Sequence, residues 1–545
     1  LPLALLVLVP AVRAASQSVW RQEEAAQKRL KVDARGVTVK SLLDAIGAAS
    51  GMRLEARRDV AGLKAAVFAK DAAAGELLDA LAALFGASWR RVEDPQGARY
   101  VLDLEPTTRS LIARRHEALL AAQMQSLEAY AAALGWPEER LATLPESDPI
   151  RQYLSQPASR AGLAFYAALS ANERSRLWSR RRLSLPFRAL PPLQQQTALA
   201  IARHIADSAA ARPPTAGRQG MSQELDPEAL QRGSVQLRLR TLAGQRMLFL
   251  TLPNGGIPVA LAHLAPASPY HVSGNPYNAA TGPLTAPADT AKPAERALLL
   301  SDAFEAARAL AEGTGRPVLR DFYRFARTPP PAQDSITNPP ESPLDRLAVR
   351  SHATWWLSGS ALLFRSHDWH LLDLREPSDE SLVRVARLMP RPPDRLSIGA
   401  LQEYARLPLE QITGVNRRVN SLADESLYDG LPELIALMAA MPGIQERLAA
   451  SEPVEMAIGA LPAGAQASLL RFAEAVGEVA PLTREDRLRL QAQVTPFPPR
   501  SAGDPAMARV AIQWGVGRSA GAFTFFMPTS PEQLEPPPIH LERLP

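Results

Sequence analysis

The chain has 545 residues, 46% of them hydrophobic, and a formal net charge of +5 from 61 Lys and Arg against 56 Asp and Glu. That length calls for several cores, about three to five domains, and so small a charge excess gives no reason to expect nucleic acid as a partner. Cysteine is absent, which excludes disulfides, thiolate metal sites and cysteine nucleophiles.

Residues 1–14, an apolar run ending Val12-Arg13-Ala14, have the small-residue pattern that closes a secretory signal peptide. The polar stretch Ser16 to Arg29 follows at once. The expected location is therefore extracytoplasmic, periplasmic or secreted. No later apolar run reaches 18 residues, so the mature chain is expected to have no transmembrane span.

Residues 28–106 have a clear pattern. Lys28–Val37 alternates as a strand, and Thr38 can cap a helix whose apolar face is Val39, Leu42, Leu43, Ile46 and Ala49. Gly51 stops that helix. Met52, Leu54 and Ala56 alternate, as do Leu63, Ala65 and Val67, giving two strands. A second helix carries Leu77, Leu78, Leu81, Leu84 and Phe85 and ends at Gly86. A hairpin, Ala87–Val92 and Arg99–Leu104, turns at Asp94-Pro-Gln-Gly97. The order is β-α-β-β-α-β-β, for which a two-layer α+β sandwich is the economical packing.

This order, size and position resemble the STN domain, the short N-terminal domain shared by secretins and TonB-dependent receptors. The Val39–Gly51 helix, the strand after it, the Leu77–Leu81 helix and the Trp89 hairpin carry the resemblance. What it implies is a docking role beside another envelope protein. It brings no catalytic residue, and residues 107–545 are too helical and too proline-rich for a receptor barrel or a secretin pore.

Residues 107–215 are expected to be helical. Thr108 or Ser110 can start a helix that ends at Gly135-Trp-Pro137, and later helices surround Phe165–Leu169, Glu173–Trp178 and Leu193–Ile205. Residues 216–296 hold a period-2 hairpin (Val235, Leu237, Leu239, then Met247–Leu252) and a loop rich in Pro, Gly, Asn and Thr.

Residues 297–377 repeat the first pattern about 265 residues on. Leu78-Asp79-Ala80-Leu81-Ala82 before Ala87-Ser-Trp89 returns as Leu344-Asp345-Arg346-Leu347-Ala348 before Ala353-Thr-Trp355. The earlier helix returns with Phe304, Ala307, Leu310 and Ala311 before Gly313-Thr-Gly315. Val318–Phe325 is the expected next strand, and a proline-rich insertion, Thr328–Pro343, follows. The second hairpin, Thr354–Leu357 and Ala361–Phe364, is expected to run on to Asp373-Leu-Arg-Glu-Pro377, with His352 where Gly86 stands. Residues 378–500 are again helical, clearest at Leu431–Met441, Ile444–Leu448 and Ala467–Val476. Residues 501–545 form a hairpin (Ala508–Trp514, Ala522–Phe526) and a proline-rich tail. The fold class is thus multidomain α+β, small sandwiches joined by helical regions and hairpins.

Candidate chemistry is sparse. His367, Asp368 and His370 are conceivable metal ligands, but residues three apart on a strand face opposite ways, so they are expected to be solvated hairpin residues. Gly515-Val-Gly517-Arg-Ser-Ala-Gly521 has a glycine one place late for a nucleotide loop and precedes a strand, so it is expected to be a turn. Arg174, Arg176, Arg180, Arg181, Arg182 and Arg188 surround Trp178 and Phe187 as a solvated helical face. Trp355-Trp356 and Trp369 are candidates for a sugar-binding surface, but Trp355 and Trp356 alternate, so one of them is expected to belong to the core. No catalytic, cofactor-binding or metal residue is assigned. The sequence points to a non-enzymatic protein-binding or scaffolding protein of the bacterial envelope. The alternative is an exported hydrolase of a cell-wall or sugar polymer, with Tyr270, His271, Asn275 and Asn278 joining carboxylates in 235–380. The oligomeric state is not encoded in any motif.

Overall fold

A computed structural model describes residues 19–20, 23–146, 148–180, 182–210, 233–242, 245–252, 259–264, 303–324, 343–351, 353–367, 369–419, 428, 430–476, 482–498, 505–517, 519–535 and 538–544. The chain divides into two compact units. The first holds residues 1–116, 268–378 and 535–545, and the second holds 117–267 and 379–534.

In chain order the elements are β1 (Arg29–Thr38), α1 (Val39–Ser50), β2 (Leu54–Ala56), α2 (Arg58–Ala61), β3 (Lys64–Ala73), α3 (Ala74–Phe85), β4 (Ala87–Asp94) and β5 (Gly97–Leu104). Then come α4 (Pro106–Ala133), α5 (Glu138–Ala142), α6 (Pro149–Leu154), α7 (Pro157–Ala167), α8 (Ala171–Arg180), β6 (Arg182–Pro186), α9 (Pro192–Ala210), β7 (Ser234–Leu242), β8 (Gln245–Thr251) and β9 (Val259–His263). They are followed by α10 (Ala303–Thr314), β10 (Val318–Asp321), α11 (Pro343–Arg350), β11 (Ala353–Ser358), β12 (Ala361–Ser366) and α12 (Trp369–Arg375). The last are α13 (Asp379–Leu388), α14 (Ile398–Ala405), α15 (Leu409–Val419), α16 (Leu431–Ala439), α17 (Pro442–Ala449), β13 (Val454–Ala457), α18 (Ala463–Val476), β14 (Arg487–Phe497), β15 (Met507–Val516), β16 (Ser519–Pro528), α19 (Pro531–Leu534) and β17 (His540–Arg543). The fold is mixed α+β with several small sheets.

In the first unit the local signals act where the sequence places them. Thr38 caps α1, its hydroxyl accepting from Ser41 N at 3.1 Å, a contact worth ~1 kcal/mol. Gly51 and Gly86 close α1 and α3 at φ of 84° and 64°, where only glycine avoids a Cβ clash. Val39, Leu42, Leu43 and Ile46 are buried, as is the whole apolar stripe of α3.

The strands sort into a six-stranded sheet, β11-β12-β10-β3-β1-β17, and a three-stranded sheet, β2-β5-β4. Rather than closing separate sandwiches, residues 28–106 and 297–377 share the larger sheet through antiparallel β3 and β10. Its two faces carry different cores. Val67 and Leu319 face one with Leu42, Phe85 and Trp369; Phe68 and Val318 face the other with Leu310, Trp355 and Phe364.

Several expectations need correction. The second hairpin does not run on to Pro377: β12 ends at Ser366, opposite Ala353, and residues 369–375 are the helix α12. The buried Trp369 and Leu372 are three apart, a helical spacing. The Val318–Phe325 strand stops at Asp321. The first helix after the β4–β5 hairpin starts at Pro106, ahead of Thr108, whose hydroxyl instead donates to Gly86 O at 2.7 Å. The tail is not merely proline-rich, since β17 adds to the edge of β1 with Leu30 opposite Arg543 and Asp33 opposite His540. The signal-like residues 1–14, the loop to residue 293 and most of the 328–343 insertion lie outside the described residues.

The second unit contains two four-stranded sheets, β6-β7-β8-β9 and β13-β14-β15-β16. The two sequence-predicted hairpins therefore sit in different sheets. Strands β6, β13 and β14 interrupt stretches expected to be helical. Leu163, Phe165, Tyr166, Leu177 and Ile201 pack one helical side against the β6–β9 sheet.

Candidate functional site

Among the described residues of the first unit, most of the buried ionisable groups gather where three strands and a helix meet. Lys64 opens β3, Asp321 closes β10, Ser366 closes β12, and α12 carries His370 and Asp373 and leads into Glu376. The chain reaches this point through a bulge in β1 between Ala34 and Val37. There Gly36, at φ 64°, lies under the Phe322 ring, which a Cβ would strike.

Lys64 Nζ lies 3.3 Å from Glu376 Oε1, and the two side chains are only 5% and 4% exposed. The same oxygen accepts the Arg324 backbone N–H at 2.9 Å. Both oxygens of Asp321 accept from Ser366 N, at 3.0 and 2.9 Å. Burial pushes the Asp321 carboxyl above its ordinary range, against the pull of Arg320 and the Ser366 bonds. Asp373 is pushed up to about 6, first by burial and then by the Glu376 charge, with Lys64 opposing. Tyr323 lies between these acids, and burial together with Asp321, Asp373 and Glu376 raises its hydroxyl well above the usual tyrosine range. That hydroxyl has no hydrogen-bond partner among the described residues.

Chemically, the cluster is a buried acid–base network. Its carboxylates take cations and backbone N–H groups as partners, which ties α12 and Glu376 to the sheet. At Asp373 it holds a proton that is exchanged near pH 6. Lys64 and Glu376 face each other as opposite charges in a low dielectric, so the loss of either alone is costly.

The candidate residues named from the sequence are placed elsewhere or differently. His370 is not a solvated hairpin residue: it is 6% exposed on α12. His367 is in the turn before that helix, and Asp368 is outside the described residues. No group of three or more His, Asp or Glu suited to a metal occurs among the described residues. Gly515 and Gly517 belong to the β15–β16 hairpin, and Gly521 lies under the Trp514 ring.

Of the arginines, Arg174 reaches Glu128 at 3.4 Å, and Arg182 donates to the carbonyls of Glu474 and Ala475 at 3.2 and 2.9 Å. Phe187 is buried. Trp355 is core and its indole N–H donates to Asp345 at 2.8 Å. Trp356 is half-buried with Arg365 5.1 Å from its ring centroid, and Trp369 is buried. These tryptophans do not form an open sugar platform. Tyr270, His271, Asn275 and Asn278 are outside the described residues.

Sequence reasoning missed Lys64, Asp321, Tyr323 and Glu376. One signal was available: Lys64 interrupts an otherwise apolar run, Leu63 to Ala69. No helix of the described residues is long and apolar enough to cross a membrane. No family model, curated protein or solved structure matches this chain.

Proposed function

We propose that this chain is an exported, non-enzymatic binding or scaffolding protein of the bacterial envelope, built on STN-like modules, whose partner is another envelope protein. The observation that carries the reading is the β-α-β-β-α-β-β progression of residues 29–104, interrupted only by the single-turn α2, with its two long helices closed at Gly51 and Gly86 and its last strand opened by Gly97. It has the order and size of the module that secretins and TonB-dependent receptors place before their membrane parts. The internal ion pairs fit the reading as well. Of the arginines around Trp178, Arg174 pairs with Glu128 and Arg182 donates to backbone carbonyls within the fold, which leaves those two engaged internally rather than offered to nucleic acid.

Native crosslinking in the source envelope, followed by co-purification, is the test. One envelope protein is expected to be recovered in fixed ratio, and lost when residues 28–106 carry core substitutions such as Leu78→Asp. Recovery of no specific envelope protein, or turnover of a cell-wall polymer by the purified chain, would sink the proposal.

A further inference from the structure

We infer that the chain is a covalent tandem dimer: residues 29–263 and 303–528 are two copies of one module, and the partner surface of each copy is fitted to the other. The inference is independent of where the protein resides and of what else it binds.

In the first unit, α1 and α10 are offset by 264 positions (39 to 303, 50 to 314). Each helix is followed by a glycine at positive φ, Gly51 and Gly315. Ser50 Oγ donates to Ile46 O at 2.7 Å, and Thr314 Oγ1 donates to Leu310 O at 2.6 Å. The same two hydroxyls accept from Met52 N and Arg316 N, both at 3.3 Å. The next strand then joins the far strand of a hairpin in parallel, Leu54 opposite Tyr100 and Val318 opposite Leu362. Trp89 faces Leu102 and Trp355 faces Phe364 across those hairpins.

The second unit repeats itself in the same way, offset by 271 positions (187 to 458, 195 to 466). A short strand, a single 3-10 turn, a long helix and a three-strand meander follow one another twice, with the same antiparallel order in both sheets. Phe187 N donates to Gly233 O and Ile458 N to Asp486 O, both at 2.8 Å. Gln195 Nε2 donates to Leu190 O at 2.9 Å, and Gln466 Nε2 to Leu461 O at 2.8 Å. Leu177 and Leu448, ten residues before each turn, are fully buried. Helix ends recur widely for steric reasons. Matched series, α1-β2-α3-β4-β5 with α10-β10-α11-β11-β12 and β6-α9-β7-β8-β9 with β13-α18-β14-β15-β16, that share side-chain bonds at offsets of 264 and 271 do not follow from such local rules.

Each compact unit thus combines one half of each copy, and the copies meet inside it. In the first unit β3 pairs with β10, Arg365 donates to Leu84 O at 3.0 Å, and Lys70 donates to Glu312 O at 3.2 Å. In the second, Arg182 and Arg238 donate to Ala475 O at the C-terminal end of α18, at 2.9 and 3.2 Å. These are contacts between segments that can be separate chains.

The test uses the full chain with a site-specific protease site between residues 265 and 302, cut after folding. Native mass spectrometry is expected to read a 1:1 complex with the mass of the uncut chain plus the one water of hydrolysis, parted only by denaturant. Pieces that separate in native buffer overturn the copy-to-copy surface. Equivalence of the copies is tested in the uncut chain by rewriting 187–195 as 458–466, through Phe187→Ile, Arg188→Gly, Pro192→Ala, Leu193→Gly and Gln194→Ala. This graft is expected to keep cooperative unfolding within roughly 10 °C of the parent, while the same nine residues in shuffled order lose it. A graft that behaves like the shuffled control overturns the equivalence.

Discussion

The substitution Asp373→Asn removes a carboxyl whose protonation is linked to folding. Its folded value is raised from 3.8 to about 6, so the fold favours the protonated form. The stability it contributes is fully present below about pH 4 and is lost as pH rises through about 6. The full displacement corresponds to ~3 kcal/mol. Asp373 is partly accessible, so ~1–3 kcal/mol is the expected cost of its ionised form at pH 7.5. The asparagine side chain has the shape of the protonated acid and no charge. The variant should therefore be more stable than the parent at pH 7.5 and equal to it at pH 4. Asp321 is raised in the same direction, so the pH slope should shrink rather than vanish. Because the cluster lies in one of two compact units, a local readout isolates its effect. Hydrogen exchange of the 64–73 and 369–376 peptides at pH 4, 5, 6 and 7.5 is the suitable assay. An unchanged pH slope in those peptides, or a variant less protected at pH 7.5, would refute the reasoning.

Lys64→Met should cost ~3–5 kcal/mol, because it takes away the ammonium 3.3 Å from the buried Glu376 carboxylate; denaturant unfolding followed by Trp fluorescence measures it. Adding Glu376→Gln, which keeps an acceptor for Arg324 N–H, should recover more than half of that loss. Gly162→Ala should destabilise by ~1–3 kcal/mol although alanine favours helix, since a Cβ on α7 would run into the Leu261 side chain of β9; a thermal midpoint at or above the parent's contradicts this. Trp20→Ala should cost ~3–5 kcal/mol. It empties the position between Trp89 and Tyr100, at centroid distances of 5.2 and 4.7 Å, and removes the 2.8 Å bond to Asp79; differential scanning calorimetry reads the loss.

What could be read from the sequence was what neighbouring residues decide. Thr38, Gly51 and Gly86 act through bonds and dihedrals within one helical turn, and the β4–β5 hairpin turns on its own Pro95 and Gly97. Strands β6 and β13 span only five and four residues and exist because β7 and β14 lie beside them. Strand β17 needs the edge of β1, which lies at the other end of the chain. Helix α12 was hidden for a different reason. Asp373–Pro377 resembles Asp103–Pro106 by letter, and the likeness outweighed the three-residue spacing of Trp369 and Leu372. The ionic cluster joins residues 64, 321–324, 366 and 370–376, and no spacing rule reaches across such separations.

The claim on which most of this rests is that early and late segments of the chain build one sheet, and the absence of natural cysteine makes that directly measurable. Val67→Cys with Leu319→Cys places two thiols on directly opposed residues of β3 and β10, a separation a disulfide can span. After proteolytic opening of the 265–302 segment, mild oxidation should hold both pieces in one band on a non-reducing denaturing gel. The control pair, Val67→Cys with Arg320→Cys, faces opposite sides and should not link. Equal linkage of both pairs, or of neither, would contradict the shared sheet.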